Sequence, residues 1–132
     1  MLHPLTTVVL CLALVLYFAL TARVGWARGK YKIDAPATSG HPDFERVFRV
    51  QQNTLENLIM FIPGLWLFSD YVSPLWASGI GVAWIIARIW YAKAYYSDAK
   101  LRGPGFGISA FLSAALIIGA IIGAGMTYFG GR

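Results

Sequence analysis

Charge is scarce in this chain. Charged residues make up 13% of the 132 positions, and only six are acidic, where a soluble domain carries roughly 25%. So little charge cannot cover a water-facing surface, and an ordinary soluble domain is excluded. Cysteine is scarcer still: Cys11 is the only one. A disulfide within the chain and a cysteine-rich metal site are therefore both excluded. Cys11 lies in an apolar run and reads as a small hydrophobe. Period-two alternation is also missing, which argues against a lipid-facing β-barrel. There is no internal repeat and no low-complexity tail.

What is present is apolar length. Four stretches stand out: Leu5–Thr21, Leu58–Phe68, Leu75–Trp90 and Phe106–Phe129. A helix needs about 20 residues to cross the hydrocarbon core. The first, third and fourth reach that length with their flanks. The second does so only if the polar residues before Leu58 also enter the membrane. The first stretch has no basic leading region and its apolar run is long, so it reads as a retained span rather than a signal peptide. The expected fold is all-α: one integral membrane four-helix bundle domain over 1–132, with spans at about 5–27, 44–70, 74–97 and 105–129.

The basic residues are lopsided. Ten of the eleven lie between spans one and two, within the start of span two, or around the end of span three. The other side holds only Arg132 and the acidic Asp70. The positive-inside rule puts both basic loops in the cytoplasm and both termini outside. Topology thus accounts for the net charge of +5, and no nucleic-acid partner is expected. Compact length and the lack of retention signals favour a bacterial inner membrane.

In the first cytoplasmic loop, Asp34-Ala-Pro-Ala-Thr-Ser-Gly-His-Pro-Asp43 is broken by proline and glycine. Asp43 is expected to cap a helix beginning near Phe44. In span four, Gly119-Ala-Ile-Ile-Gly123 is a small-xxx-small pattern that permits close helix approach. Glycine-rich spans carry that pattern so often that it names no partner.

A polar stripe opens the second span. Arg49, Asn53 and Glu56 are spaced by four and three, hence on one helical face. Arg88, Tyr91 and Tyr95 share a face of helix three by the same rule, and Arg102 follows in the loop. Two readings stand side by side. One is a structural ion pair between Glu56 and Arg88. The other is a pocket for a small polar anion, because arginines bind carboxylates bidentately. Gln51 lies about 160° round the helix from Asn53 and cannot serve the same pocket within one subunit.

The segment Phe44-Glu-Arg-Val-Phe-Arg-Val-Gln-Gln-Asn-Thr-Leu-Glu56 resembles the signature of the MAPEG superfamily, membrane-associated proteins of eicosanoid and glutathione metabolism. The resemblance is to its leukotriene-C synthase and microsomal glutathione transferase 2/3 branch. It runs from about Ala27 to Arg102 and takes in Arg88-Ile-Trp-Tyr91-Ala-Lys-Ala-Tyr95 and Lys100-Leu-Arg102. It implies a homotrimer and glutathione, as co-substrate, bound between subunits near the cytoplasmic face. It implies that Arg49, Asn53, Glu56, Tyr91 and Tyr95 hold glutathione, with Arg28 and Gln51 supplied by the neighbouring subunit. It gives Arg102 the thiolate. No metal is implied.

Two positions depart from the pattern. Asn57 stands where the eicosanoid synthases tend to carry tyrosine. Gly29 stands where the leukotriene synthase carries a second arginine, which argues against leukotriene synthesis. The implied activity is glutathione S-transferase action on a lipophilic electrophile, with glutathione-dependent peroxidase action on a lipid hydroperoxide beside it. A non-catalytic lipid-binding scaffold of the same superfamily and a small multidrug-type proton exchanger are the alternatives.

Overall fold

The computed structural model describes residues 1–131. Arg132, counted above on the far side, lies outside the described residues. Helix α1 is Pro4–Tyr31, α2 is Pro42–Tyr71, α3 is Pro74–Ser97 and α4 is Gly103–Phe129. A 3-10 turn, Ala99–Leu101, joins α3 to α4. There is no strand among the described residues.

The helix starts follow one chemical rule. Proline sits at the first position of α1, α2 and α3, where its missing N–H leaves no bond unmade. The residue before each proline caps the helix. His3 Nδ1 accepts from Leu5 N at 3.1 Å, His41 Nδ1 from Asp43 N at 3.1 Å, and Ser73 Oγ from Trp76 N at 3.2 Å. This corrects the expected start of α2. His41, not Asp43, is the cap, and Asp43 lies inside the first turn, paired with Arg46.

Helices α2 and α3 pack together, and α1 and α4 each pack against both of them. The core runs along the axis they share: Phe61, Leu65, Trp84 and Leu116 are fully buried. Phe61 and Trp84 stack with ring centroids 4.0 Å apart. At the end remote from the 3-10 turn, Thr6 Oγ1 lies 2.9 Å from Ser69 Oγ and 3.3 Å from Ser78 Oγ. That cluster ties α1 to α2 and α3 with hydroxyls, the usual way to join helices that share an apolar solvent.

The outside is apolar. Phe18, Leu75, Phe111 and Ile121 are among many large exposed hydrophobic side chains. Three helices are long and apolar enough to cross a membrane: α1, α3, and α4 with the turn before it. Together with this apolar surface they make the chain a membrane protein. Helix α2 is the exception. Its 30 residues are long enough, but its first half is the polar stripe.

Small residues set the helix spacing. A methyl group on Gly105 would lie 2.7 Å from the backbone N and Cα of Tyr91. Only glycine permits α4 to start that close to α3. Gly119 and Gly123 meet Phe68 and the Tyr71 carbonyl in the same way, so this small-xxx-small pattern is occupied inside the subunit by α2.

Candidate functional site

One cleft gathers most of the polar stripe. Its volume is about 530 Å³, and it is lined by Arg49 and Asn53 from α2, Tyr91 and Tyr95 from α3, Lys100 and Arg102 from the turn, and Gly103 and Phe106 from α4. Five residues expected at the site from sequence therefore meet in one place.

The cleft is braced from behind. Arg88 is fully buried, and its guanidinium bonds to three neutral partners on α2 and α4. Nη2 donates to Asn53 Oδ1 and to Thr54 Oγ1, both at 2.8 Å, and Nη1 donates to Ser109 Oγ at 3.2 Å. Its carbon centre lies 4.0 Å from the centroid of the Tyr91 ring. The expected ion pair with Glu56 is not formed. Glu56 is exposed and does not line the cleft. Asn53 and Thr54 lie on the turn of α2 that faces Arg88 and take its donors first.

The bond from Arg88 fixes the polarity of Asn53. A guanidinium can only donate, so the Asn53 oxygen must point inward to it. Asn57 Nδ2 adds bonds to Asn53 Oδ1 at 3.3 Å and to the Asn53 carbonyl at 3.0 Å. The amide nitrogen of Asn53 is then what remains to meet a ligand, and it donates. Asn57 is only 3% exposed. Here it acts as a brace beneath Asn53 and does not line the cleft.

The tyrosines and Arg102 close the other wall. Tyr91 and Tyr95 meet edge to face, with centroids 5.6 Å apart. Arg102 Nη1 donates to the Ala99 carbonyl at 2.6 Å, and its carbon centre lies 5.9 Å from the Tyr95 ring centroid. The close start of α4 at Gly105 folds this turn over Tyr91.

Besides Glu56, two expected residues lie elsewhere. Gln51 faces α1, where Nε2 donates to Tyr17 Oη at 3.3 Å and to Thr21 Oγ1 at 3.4 Å. That placement agrees with its angular distance from Asn53. Arg28, near the end of α1, donates through Nη1 to the carbonyls of Ile33 at 3.3 Å and Ala37 at 2.8 Å, and so holds its own loop. Lys100, Gly103 and Phe106 were missed. The spacing along α2 and α3 could not find them, because Lys100 sits on the 3-10 turn and Gly103 and Phe106 on the first turn of α4.

The cleft thus carries three cations, an amide donor, two phenols and no carboxylate. Such a lining suits a small, polar, anionic molecule. The MAPEG family profile matches residues 6–122. The chain belongs to the MAPEG family. It is 43% identical to microsomal glutathione S-transferase 2 of Homo sapiens over 106 residues, which cover 80% of this chain and 71% of that protein. It is 49% identical to an uncharacterized protein of Synechocystis over 111 residues, 84% of this chain and 81% of the relative. Leukotriene C4 synthase of Mus musculus is 37% identical over 86 residues, 65% of this chain and 56% of the relative. In this MAPEG member, five of the residues that the family signature led us to expect at the site line one cleft.

Proposed function

We propose that this chain is a membrane-bound glutathione S-transferase that also reduces lipid hydroperoxides with glutathione. The observation that carries the reading is the convergence of Arg49, Asn53, Tyr91, Tyr95 and Arg102 on one cleft.

Only the thiolate of glutathione is a good nucleophile, and a free thiol has a pKa of about 8.5. Lowering it by about two units takes roughly 2.7 kcal/mol of preference for the anion. Arg102 is the group for that task. It is a permanent cation at the rim, and its bond to the Ala99 carbonyl keeps the guanidinium at the turn. Arg49 binds a carboxylate of glutathione, Asn53 donates its amide to a ligand carbonyl or carboxylate, and the two tyrosines orient the peptide. The thiolate attacks the electrophilic carbon of a lipophilic substrate and forms a thioether as the bond to the leaving group, halide in an aryl halide, breaks. With a hydroperoxide, it attacks the distal oxygen. An alcohol leaves, and a second glutathione displaces water from the sulfenic acid to give the disulfide.

In this reading α2 is the fourth span, the cleft faces the cytoplasm of a bacterial inner membrane, and three copies assemble. Glu56 supports assembly. It is a charge in a spanning segment, exposed in the single chain and costly to leave against lipid. A neighbouring subunit covers it, and in this reading Gln51 and Arg28 of one copy reach the cleft of another.

The test uses the detergent-purified protein. Glutathione conjugation to an aryl halide and reduction of a fatty-acid hydroperoxide are expected. Arg102→Ala should cut the thiolate absorbance of bound glutathione about 25-fold at pH 7, the effect of a thiol pKa returning from about 6.5 to about 8.5, while binding persists. An unchanged thiolate signal would remove Arg102 from the mechanism. Tight lipid binding without turnover of any electrophile would replace the transferase reading with the scaffold.

A further inference from the structure

Lys100 stands out because nothing in the signature assigns it and yet it lines the cleft. Its position is built. The carboxylate of Asp98 caps the 3-10 turn by accepting the Lys100 backbone N–H at 2.9 Å. The acid is aimed at the main chain, and it forms no ion pair with the Lys100 ammonium. Among the described residues the only ion pair is Arg46 with Asp43. Arg49, Lys100 and Arg102 therefore surround the cleft with no carboxylate of their own chain to neutralise them.

The count of charges matters next. Glutathione with its thiol ionised has three anionic groups: two carboxylates and the sulfur. The cleft offers three cations. With Arg102 at the sulfur and Arg49 at one carboxylate, the second carboxylate has Lys100 within the same cleft. Arg28 is a poorer candidate in this chain, because its Nη1 is occupied by the carbonyls of Ile33 and Ala37. Lys100 and Arg102 both line this one cleft, so a ligand that fills it with its sulfur at Arg102 has Lys100 on the same lining. We infer that Lys100 is a glutathione-binding residue that pairs with one of the two carboxylates, an assignment that rests on the glutathione reading above.

Lys100 is exposed and outside the packed core, so its substitution leaves the fold intact, which a melting curve checks. The experiment measures binding by calorimetry on the full chain in detergent. The ligands are glutathione and its two monoesters, one blocked at the glycine carboxylate and one at the γ-glutamyl carboxylate. Lys100→Gln should weaken glutathione about 5–10-fold, the size expected for one partly exposed charge-assisted bond. Lys100→Arg should restore most of it. One monoester should bind wild type and Lys100→Gln equally, because the partner carboxylate is already gone.

Equal sensitivity of both esters to Lys100→Gln would overturn the pairing. So would unchanged glutathione binding. If Lys100→Gln spares glutathione but raises KM for a fatty-acid hydroperoxide and not for its methyl ester, the carboxylate belongs to the lipid and the assignment falls. If the wild type binds no glutathione at all, the functional reading itself falls, an outcome distinct from a wild type that binds and a variant that binds equally well.

Discussion

The two ends of this bundle solve opposite problems with the same four helices. Away from the turn, helices meet through the stacked rings of Phe61 and Trp84 at mid-bundle, glycines and, at the far end, three small hydroxyls. At the cleft end, Arg88 is buried among neutral oxygens and three more cations face a cleft without an acid. The first arrangement holds the fold together. The second keeps charge in reserve for something that arrives from outside, which is why the remote end reads as stability and the cleft end as function.

The strongest way to break that division is to damage the remote core and watch the cleft. Trp84→Ala removes a fully buried ring that stacks on Phe61. Such truncations cost about 3–5 kcal/mol in packed cores. The melting temperature in detergent should fall sharply, while the Kd for glutathione measured well below the melt should hardly move. A parallel loss of affinity would show that the two ends are not separable.

The reverse test targets the joint. Gly105→Val drives a branched side chain into the Tyr91 backbone, where a single Cβ already lies at 2.7 Å. Overpacking costs about 1–3 kcal/mol, less than the loss of Trp84. Because the start of α4 carries Arg102 and Phe106, conjugation activity should fall by more than the melting temperature predicts. If stability drops and kcat/KM for glutathione holds, the close approach does not position the turn.

Sequence spacing carried much of this design. The spans at α1, α3 and α4 follow from apolar length. The faces of Arg49 and Asn53 and of Tyr91 and Tyr95 follow from the helical repeat, as does the separate face of Gln51. Three things did not follow. The start of α2 was misplaced because Pro42 at its first position, capped by His41, outranks the acid that follows it in the same turn. The Glu56–Arg88 pair looked natural because opposite charges attract. Yet α2 exposes Glu56 and presents Asn53 and Thr54, and short neutral acceptors at 2.8 Å take the Nη2 donors of a guanidinium without burying a second charge. Lys100 stayed hidden because a 3-10 turn obeys neither helical nor strand periodicity, and Phe106 because that turn sets which face of α4 meets the cleft.

The smallest expected effect lies in the hydroxyl cluster. Thr6→Val keeps the shape of the side chain and removes the Oγ1 that meets Ser69, Ser78 and, at 3.4 Å, the Pro74 carbonyl. Ser78 still donates to Pro74 at 2.7 Å, so only Ser69 loses its partner outright. Hydrogen bonds between membrane helices average about 0.6 kcal/mol. The melting temperature should drop slightly, and glutathione affinity should stay at the wild-type value. A large loss of stability would mean that α1 is held mainly by this cluster rather than by the apolar contacts of Val9 and Ala13, and the remote end would then depend on polar bonds as much as the cleft end does.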